Sequence, residues 1–161
     1  MGAPAIRFQV PEELVVVRMP AATMPEVIER LGNLMVAHGY VRPSYIHAAI
    51  YREETCPTGL PTPGLGTAIP HAGVEHTLKP GIAIATLAQP VSFGELGDPE
   101  SHLDVSIVFM LSVTEPEAQV YLLRSLMSVY RDEAALRRLY VAIDPAIIAS
   151  EVNAALAQSS S

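Results

Sequence analysis

The side chains with the widest chemical reach in this chain are five histidines, His38, His47, His71, His76 and His102, and one cysteine, Cys56. An imidazole with a reference pKa of about 6.5 can act near neutral pH as nucleophile, proton shuttle or metal ligand. His71 is set apart by its surroundings. It closes the run GTAIPH, where a short apolar stretch gives way to a loop, and Pro70 fixes the backbone just ahead of it. Gly64, Gly66 and Gly73 leave room for another molecule to approach. Loops at strand ends are where rigid scaffolds present reactive groups. One ring nitrogen could take a phosphoryl group while a hydrogen bond at the other fixes the tautomer. On the residues alone, a structural loop histidine still accounts for His71 slightly better than a nucleophile does.

Arg52 is the second candidate. It ends a helical pattern just before a Pro/Gly-rich segment, and its planar fork of donors matches phosphate oxygens. It reads equally as a solvated arginine favourable to a helix C-terminus. Glu53 and Glu54 beside it could pair with it or repel a phosphate. His76 follows His71 by five residues, whereas a helical zinc pair uses i and i+4 with a third ligand elsewhere. HAGVEH carries a glycine, follows a proline and has only Cys56 as a thiol in the chain, so metal binding is not expected. His38 and His47 fall on helical patterns and His102 in a polar turn, GDPESH; all three read as surface residues. No P-loop, GxGxxG or GxSxG pattern occurs.

The elements that must hold these residues follow from periodicity. Leu14–Met19 (LVVVRM) is a β-branched apolar run and predicts a first strand. Thr23-Met-Pro-Glu26 has capping-box spacing, and Val27, Ile28, Leu31, Leu34 and Met35 continue at helical spacing to a stop at Gly39. A second helix is expected from about Pro43 to Glu53, with Tyr45, Ile46, Ala49 and Ile50 inward. Residues 55–66, TCPTGLPTPGLG, hold three Pro and three Gly and predict a long ordered loop. Further strands are expected at 67–69, 81–91 and 103–113. The near-continuous apolar run from Val105 to Leu111 implies burial on both faces of a sheet, hence helices above and below it. Three helices should follow: 116–130, with Val120, Leu123, Leu126, Met127 and Tyr130 as its stripe, one after Asp132 and one after Asp144-Pro145. Residues 1–10 and 158–161 are expected to fray.

Composition bounds the rest. A chain of 161 residues with 50% hydrophobic and 17% charged residues suits one globular domain. With no Trp and three Phe, aliphatic side chains must fill its core. A net charge of −7 with ten scattered basic residues disfavours nucleic acid as partner but suits a basic protein. One cysteine, no signal-like start and no apolar stretch near the ~20 residues that span a bilayer predict a cytoplasmic protein.

The stretch from Tyr51-Arg-Glu-Glu54 through PTGLPTPGLGTAIPHAGVEHTLKPGIAIATLAQPVSFGELG, with the later LDVSIVFMLSV and QVYLLRSLMSVYRDEAALRRL, resembles the enzyme IIA domains of the fructose/mannitol superfamily of sugar phosphotransferase systems. It is most similar to the galactitol-type branch, and the resemblance covers about residues 14–156. It implies a three-layer α/β/α sandwich around a mixed sheet of about five strands. By this resemblance His71 is the histidine that is phosphorylated, Arg52 the arginine that steadies the phosphoryl charge, and His76 a second histidine orienting His71 or touching the phosphoryl group. Gln119 matches a polar residue starting a helix that faces the site; relatives often carry a His just before it, where Ala118 stands here.

The implied reaction is a relay: the phosphocarrier protein HPr donates to His71, and a cysteine of enzyme IIB accepts, with membrane enzyme IIC an indirect partner and no cofactor needed. Backbone N–H groups at 66–68 or the start of the 115–119 helix would add phosphoryl donors. Leu60 and Leu65 would exclude water and face HPr. A regulatory protein of the same fold, signalling by its phosphorylation state, and a non-catalytic ligand-binding module are the alternatives.

Overall fold

The computed structural model describes residues 8–159. Along the chain run β1 (Val15–Met19), α1 (Met24–Ala37), α2 (Ser44–Thr55), β2 (Thr67–Ala68), β3 (Gly81–Glu95), β4 (Asp98–Ser112), α3 (Pro116–Tyr130), α4 (Glu133–Val141) and α5 (Pro145–Ser159). The local signals explain most boundaries. The Thr23 hydroxyl caps α1 by accepting from the Glu26 N–H at 3.3 Å, and the Glu26 carboxylate reaches back to the Ala22 N–H at 2.9 Å. Just past the end of α1, Gly39 adopts φ 77°, a left-handed conformation costly for other residues. Asp132 caps α4 through the Ala135 N–H, and the Asp144 carboxylate accepts from the Ala146 N–H at the start of α5.

The sheet is mixed, in the order β1-β3-β4-β2. β3 and β4 form a long antiparallel hairpin, β1 runs parallel to β3, and β2 parallel to β4. The two side-chain faces separate cleanly. Ile82, Ile84, Ile107, Phe109 and Leu111 pack with α3, α4 and α5, while Ala83, Ala85, Val108 and Met110 pack with α1 and α2. That is the expected three-layer α/β/α arrangement, and it explains the unbroken apolar run in β4: both of its faces are covered. Each fully buried aliphatic side chain there contributes about 1.5–3 kcal/mol. The Phe109 and Tyr130 rings meet edge to face at 5.3 Å across the α3 layer.

Several expectations need correction. The sheet has four strands rather than about five. The Pro/Gly segment contributes only single bridges, Gly59 to Glu95 and Leu60 to Thr67, because Pro57, Pro61 and Pro63 cannot donate to a continuing ladder. The hairpin is longer than expected, and His102 lies within β4 opposite Gly94 rather than in a turn; the turn is Leu96-Gly97. The inward face of α3 is carried by Ala118, Leu122, Ser125, Leu126, Val129 and Tyr130; of the expected stripe Leu126 and Tyr130 are buried, Leu123 and Met127 partly buried, and only Val120 is exposed, at 61%. Of the ends expected to fray, residues 1–7 and 160–161 lie outside the described residues. Phe8 and Val10 are buried in the core, and Val10 exchanges two hydrogen bonds with the Asn153 side chain.

Candidate functional site

His71 sits just beyond the two-residue strand β2, bridged to Leu111 of the central strand β4. The Leu111 N–H donates to the Pro70 carbonyl at 3.1 Å, so the backbone on both sides of the Pro70–His71 peptide is held by the sheet. The ring is largely buried. Its Nδ1 lies 2.9 Å from the Ile69 carbonyl oxygen, which can only accept. Nδ1 therefore carries the proton and Nε2 a lone pair. That lone pair faces Gln119, whose amide nitrogen lies 3.0 Å from Nε2 and donates to it. Gln119 stands in the first turn of α3, so the positive end of that helix is directed at the same nitrogen.

Burial is the main influence on the ring and holds its pKa below the ordinary value; the Ile69 hydrogen bond pulls the other way, and the positive charge of Arg52 lowers it further. These influences favour the neutral imidazole at neutral pH, with its one unprotonated nitrogen met by Gln119. Arg52 occupies the last turn of α2, exposed, and makes no ion pair among the described residues. Its positive charge is the smallest of the influences on the His71 ring and adds to the lowering by burial. A guanidinium not engaged by a carboxylate, close to a nucleophilic nitrogen, can receive an anionic group brought to that nitrogen.

The structure brings His71 and Gln119 into hydrogen-bond contact, leaves Arg52 within electrostatic reach of the ring, and ties His76 elsewhere. The His76 Nδ1 is 2.8 Å from the Ser44 hydroxyl, and its Nε2 is 3.4 Å from the Glu75 carboxylate. Neither ring nitrogen of His71 bonds to it, so the orienting role expected of His76 is filled by the Ile69 carbonyl and Gln119. The backbone donors expected at 66–68 are partly consumed within the fold, since the Thr67 N–H goes to Leu60. Leu60 and Leu65 are half-buried against the α3–α5 core, which limits the surface they offer a partner. His38, His47 and His102 are exposed and contribute nothing to this site. Among the described residues, no group of three His, Cys, Asp or Glu is arranged to hold a metal ion. No helix among them is long and apolar enough to cross a membrane.

The sequence reasoning missed one participant. Glu53 faces inward, only 3% exposed, and its carboxylate accepts from both the N–H of Thr58 at 2.7 Å and its hydroxyl at 2.8 Å. This latch ties the Pro/Gly loop to the end of α2. The signal was present: Tyr45, Ala49 and Glu53 are spaced by four, which puts Glu53 on the buried face of α2 and Arg52 off it.

Known proteins share this arrangement of chain. The family described as "Phosphoenolpyruvate-dependent sugar phosphotransferase system, EIIA 2" matches residues 9–154. The mannitol-specific EIICBA component of Escherichia coli K12 is 31% identical over 135 residues, which are 82% of this chain and 20% of that protein. This chain therefore spans about a fifth of that relative's length. The galactitol-specific EIIA component of the same organism is 35% identical over 101 residues, 63% of this chain and 67% of that one. Among solved structures, the mannitol enzyme IIA of E. coli in complex with phosphorylated enzyme IIB superposes with a TM-score of 0.72 at 29% identity, covering 91% of this chain and 98% of that one. With a match running through every strand and helix from β1 to most of α5, the chain belongs to the EIIA 2 family of the phosphoenolpyruvate-dependent sugar phosphotransferase system.

Proposed function

We propose that this member of a family of phosphoryl-relay components carries the phosphoryl group on Nε2 of His71, receiving it from phospho-HPr and passing it to a cysteine of an enzyme IIB. The observation that carries the reading is the pairing of the two ring nitrogens. Nδ1–H is fixed on a carbonyl, and the Nε2 lone pair is met by a neutral amide. In the first step the Nε2 lone pair attacks phosphorus in line, and the N–P bond of the donor breaks with its electron pair returning to the donor ring. Gln119 gives up its bond to the ring nitrogen and offers the same N–H to a phosphoryl oxygen. Arg52 takes the negative oxygens, and the start of α3 adds a favourable field. In the second step a thiolate attacks phosphorus and Nε2 leaves as the neutral ring it was. Positioning and charge stabilisation account for the catalysis; the chain's own residues need no covalent chemistry beyond the one nitrogen.

The acceptor is proposed as enzyme IIB because the mannitol relative is seen in complex with phosphorylated enzyme IIB. The solute is proposed as a polyol, on relatives whose names carry galactitol and mannitol alike. The test is transfer from labelled phosphoenolpyruvate through enzyme I and HPr. Label on the native chain and none on His71→Ala is expected; label retained by a folded His71→Ala protein would place the carrier elsewhere.

A further inference from the structure

We propose that Glu53 and Thr58 are positioning residues for His71, acting through the Ile69 backbone to hold the ring in the tautomer that leaves Nε2 free. The inference rests on the reading of His71 as the phosphoryl carrier. Its geometry is an unbroken chain of hydrogen bonds. The Glu53 carboxylate accepts the Thr58 hydroxyl hydrogen at 2.8 Å and its N–H at 2.7 Å. A hydroxyl has only one hydrogen to give, so the Thr58 oxygen turns a lone pair outward, and the Ile69 N–H donates to it at 2.9 Å. The Ile69 carbonyl in turn accepts the Nδ1–H of His71 at 2.9 Å. On the other side the Pro70 carbonyl is held by the Leu111 N–H of β4. Ile69 is therefore gripped at its own N–H and anchored through the carbonyl of the next residue, Pro70, and its carbonyl has little freedom to turn from the ring.

The chain is buried throughout: Glu53, Thr58, Ile69 and His71 are each 8% exposed or less. Water cannot replace a lost link, which makes each link consequential. Its polarity suits the reaction. When Nε2 bonds to phosphorus and the donor's N–P bond breaks, the His71 ring gains positive charge while keeping its Nδ1 proton. A charged donor strengthens the bond to Ile69, and the carboxylate at the far end of the chain favours that charge. Arg52 and Glu53, adjacent at the end of α2, thus divide the work: one faces solvent toward the incoming anion, the other supports the ring from behind.

The experiment compares the full chain with Thr58→Val, which keeps the shape and loses the hydroxyl, and with Thr58→Ser, which restores it. Nitrogen-15 NMR of the His71 ring reports the tautomer, and single-turnover transfer from phospho-HPr reports the rate. The native ring should be protonated at Nδ1 alone. Thr58→Val should show a mixture of tautomers and slow transfer about tenfold, roughly one hydrogen bond's worth, with half-saturation by HPr unchanged. Thr58→Ser should return both readouts toward native. If Thr58→Val does not fold, Glu53→Gln replaces it; an amide offers one accepting oxygen where the carboxylate offers two, and carries no charge, so it should shift the tautomer ratio in the same direction. A native tautomer in a folded Thr58→Val or Glu53→Gln protein, or Thr58→Ser behaving like Thr58→Val, overturns the proposal. The tautomer is read without any phosphoryl donor. A chain that takes up no phosphoryl group would therefore sink the carrier reading while leaving the positioning question decided.

Discussion

Replacing Gln119 with glutamate exchanges one heavy atom, nitrogen for oxygen, and reverses the electrostatics at the proposed nucleophile. In the native protein a neutral amide donates to Nε2 from 3.0 Å, and burial holds the ring below its ordinary pKa. A carboxylate at the same place cannot donate to the lone pair. It draws a proton onto Nε2 instead and forms an ion pair with the imidazolium. An opposite charge this close raises a pKa by about 1–3 units. A rise of that size multiplies the ratio of protonated to neutral ring by about tenfold to about a thousandfold at any given pH. Transfer from phospho-HPr should slow in proportion to the neutral ring lost, approaching that same factor at pH values where both rings are mostly protonated, with repulsion of the phosphoryl oxygens added. Gln119→Ala removes one hydrogen bond and leaves the ring neutral, so it should cost only about fivefold. The signature is the pH profile. Native and Gln119→Ala rates should be flat above the ring's lowered pKa. The Gln119→Glu rate should climb with pH until the raised pKa is passed. Single-turnover transfer at several pH values, with NMR titration of the ring, measures both. A Gln119→Glu protein as fast as Gln119→Ala at pH 7, or with an unmoved ring titration, would refute the placement of a lone pair on Nε2.

Two further outcomes are expected. Arg52→Ala should slow phosphoryl transfer by about tenfold or more, the scale of a hydrogen bond to a charged group, while leaving the denaturation midpoint near native because the side chain is exposed; an unaffected rate removes Arg52 from the site. The Tyr130 hydroxyl is fully buried with no hydrogen-bond partner among the described residues, so Tyr130→Phe should be neutral or stabilise by up to about 1 kcal/mol in urea unfolding; a clear loss of stability would mean the hydroxyl is satisfied.

Local signals made most elements legible. Thr23, Asp132 and Asp144 announced helix starts through short side-chain acceptors, and the apolar run of β4 announced a strand covered on both faces. The α3 stripe was misjudged because Val120, Leu123 and Met127 are apolar without being innermost; hydrophobicity records what a residue tolerates, and packing decides which face turns inward. His102 was misplaced because a polar composition looks like a turn, whereas the far end of a long hairpin can stay polar where nothing covers it.

By itself the sequence offered the candidates, a histidine after a short strand and a proline and an arginine at a helix end, while their roles, and Gln119 altogether, came from the family resemblance. It also determined the layers, since periodicity of side chains is a property of neighbours along the chain. Only the tertiary structure decided which nitrogen of His71 is free, that Gln119 and not His76 meets it, and that Glu53 turns inward to hold Thr58. Those facts depend on hydrogen bonds between residues as far as 48 positions apart, and a hydrogen bond is directional and short. No pattern along one chain encodes such a direction until the sheet and helices have fixed where each donor and acceptor stands.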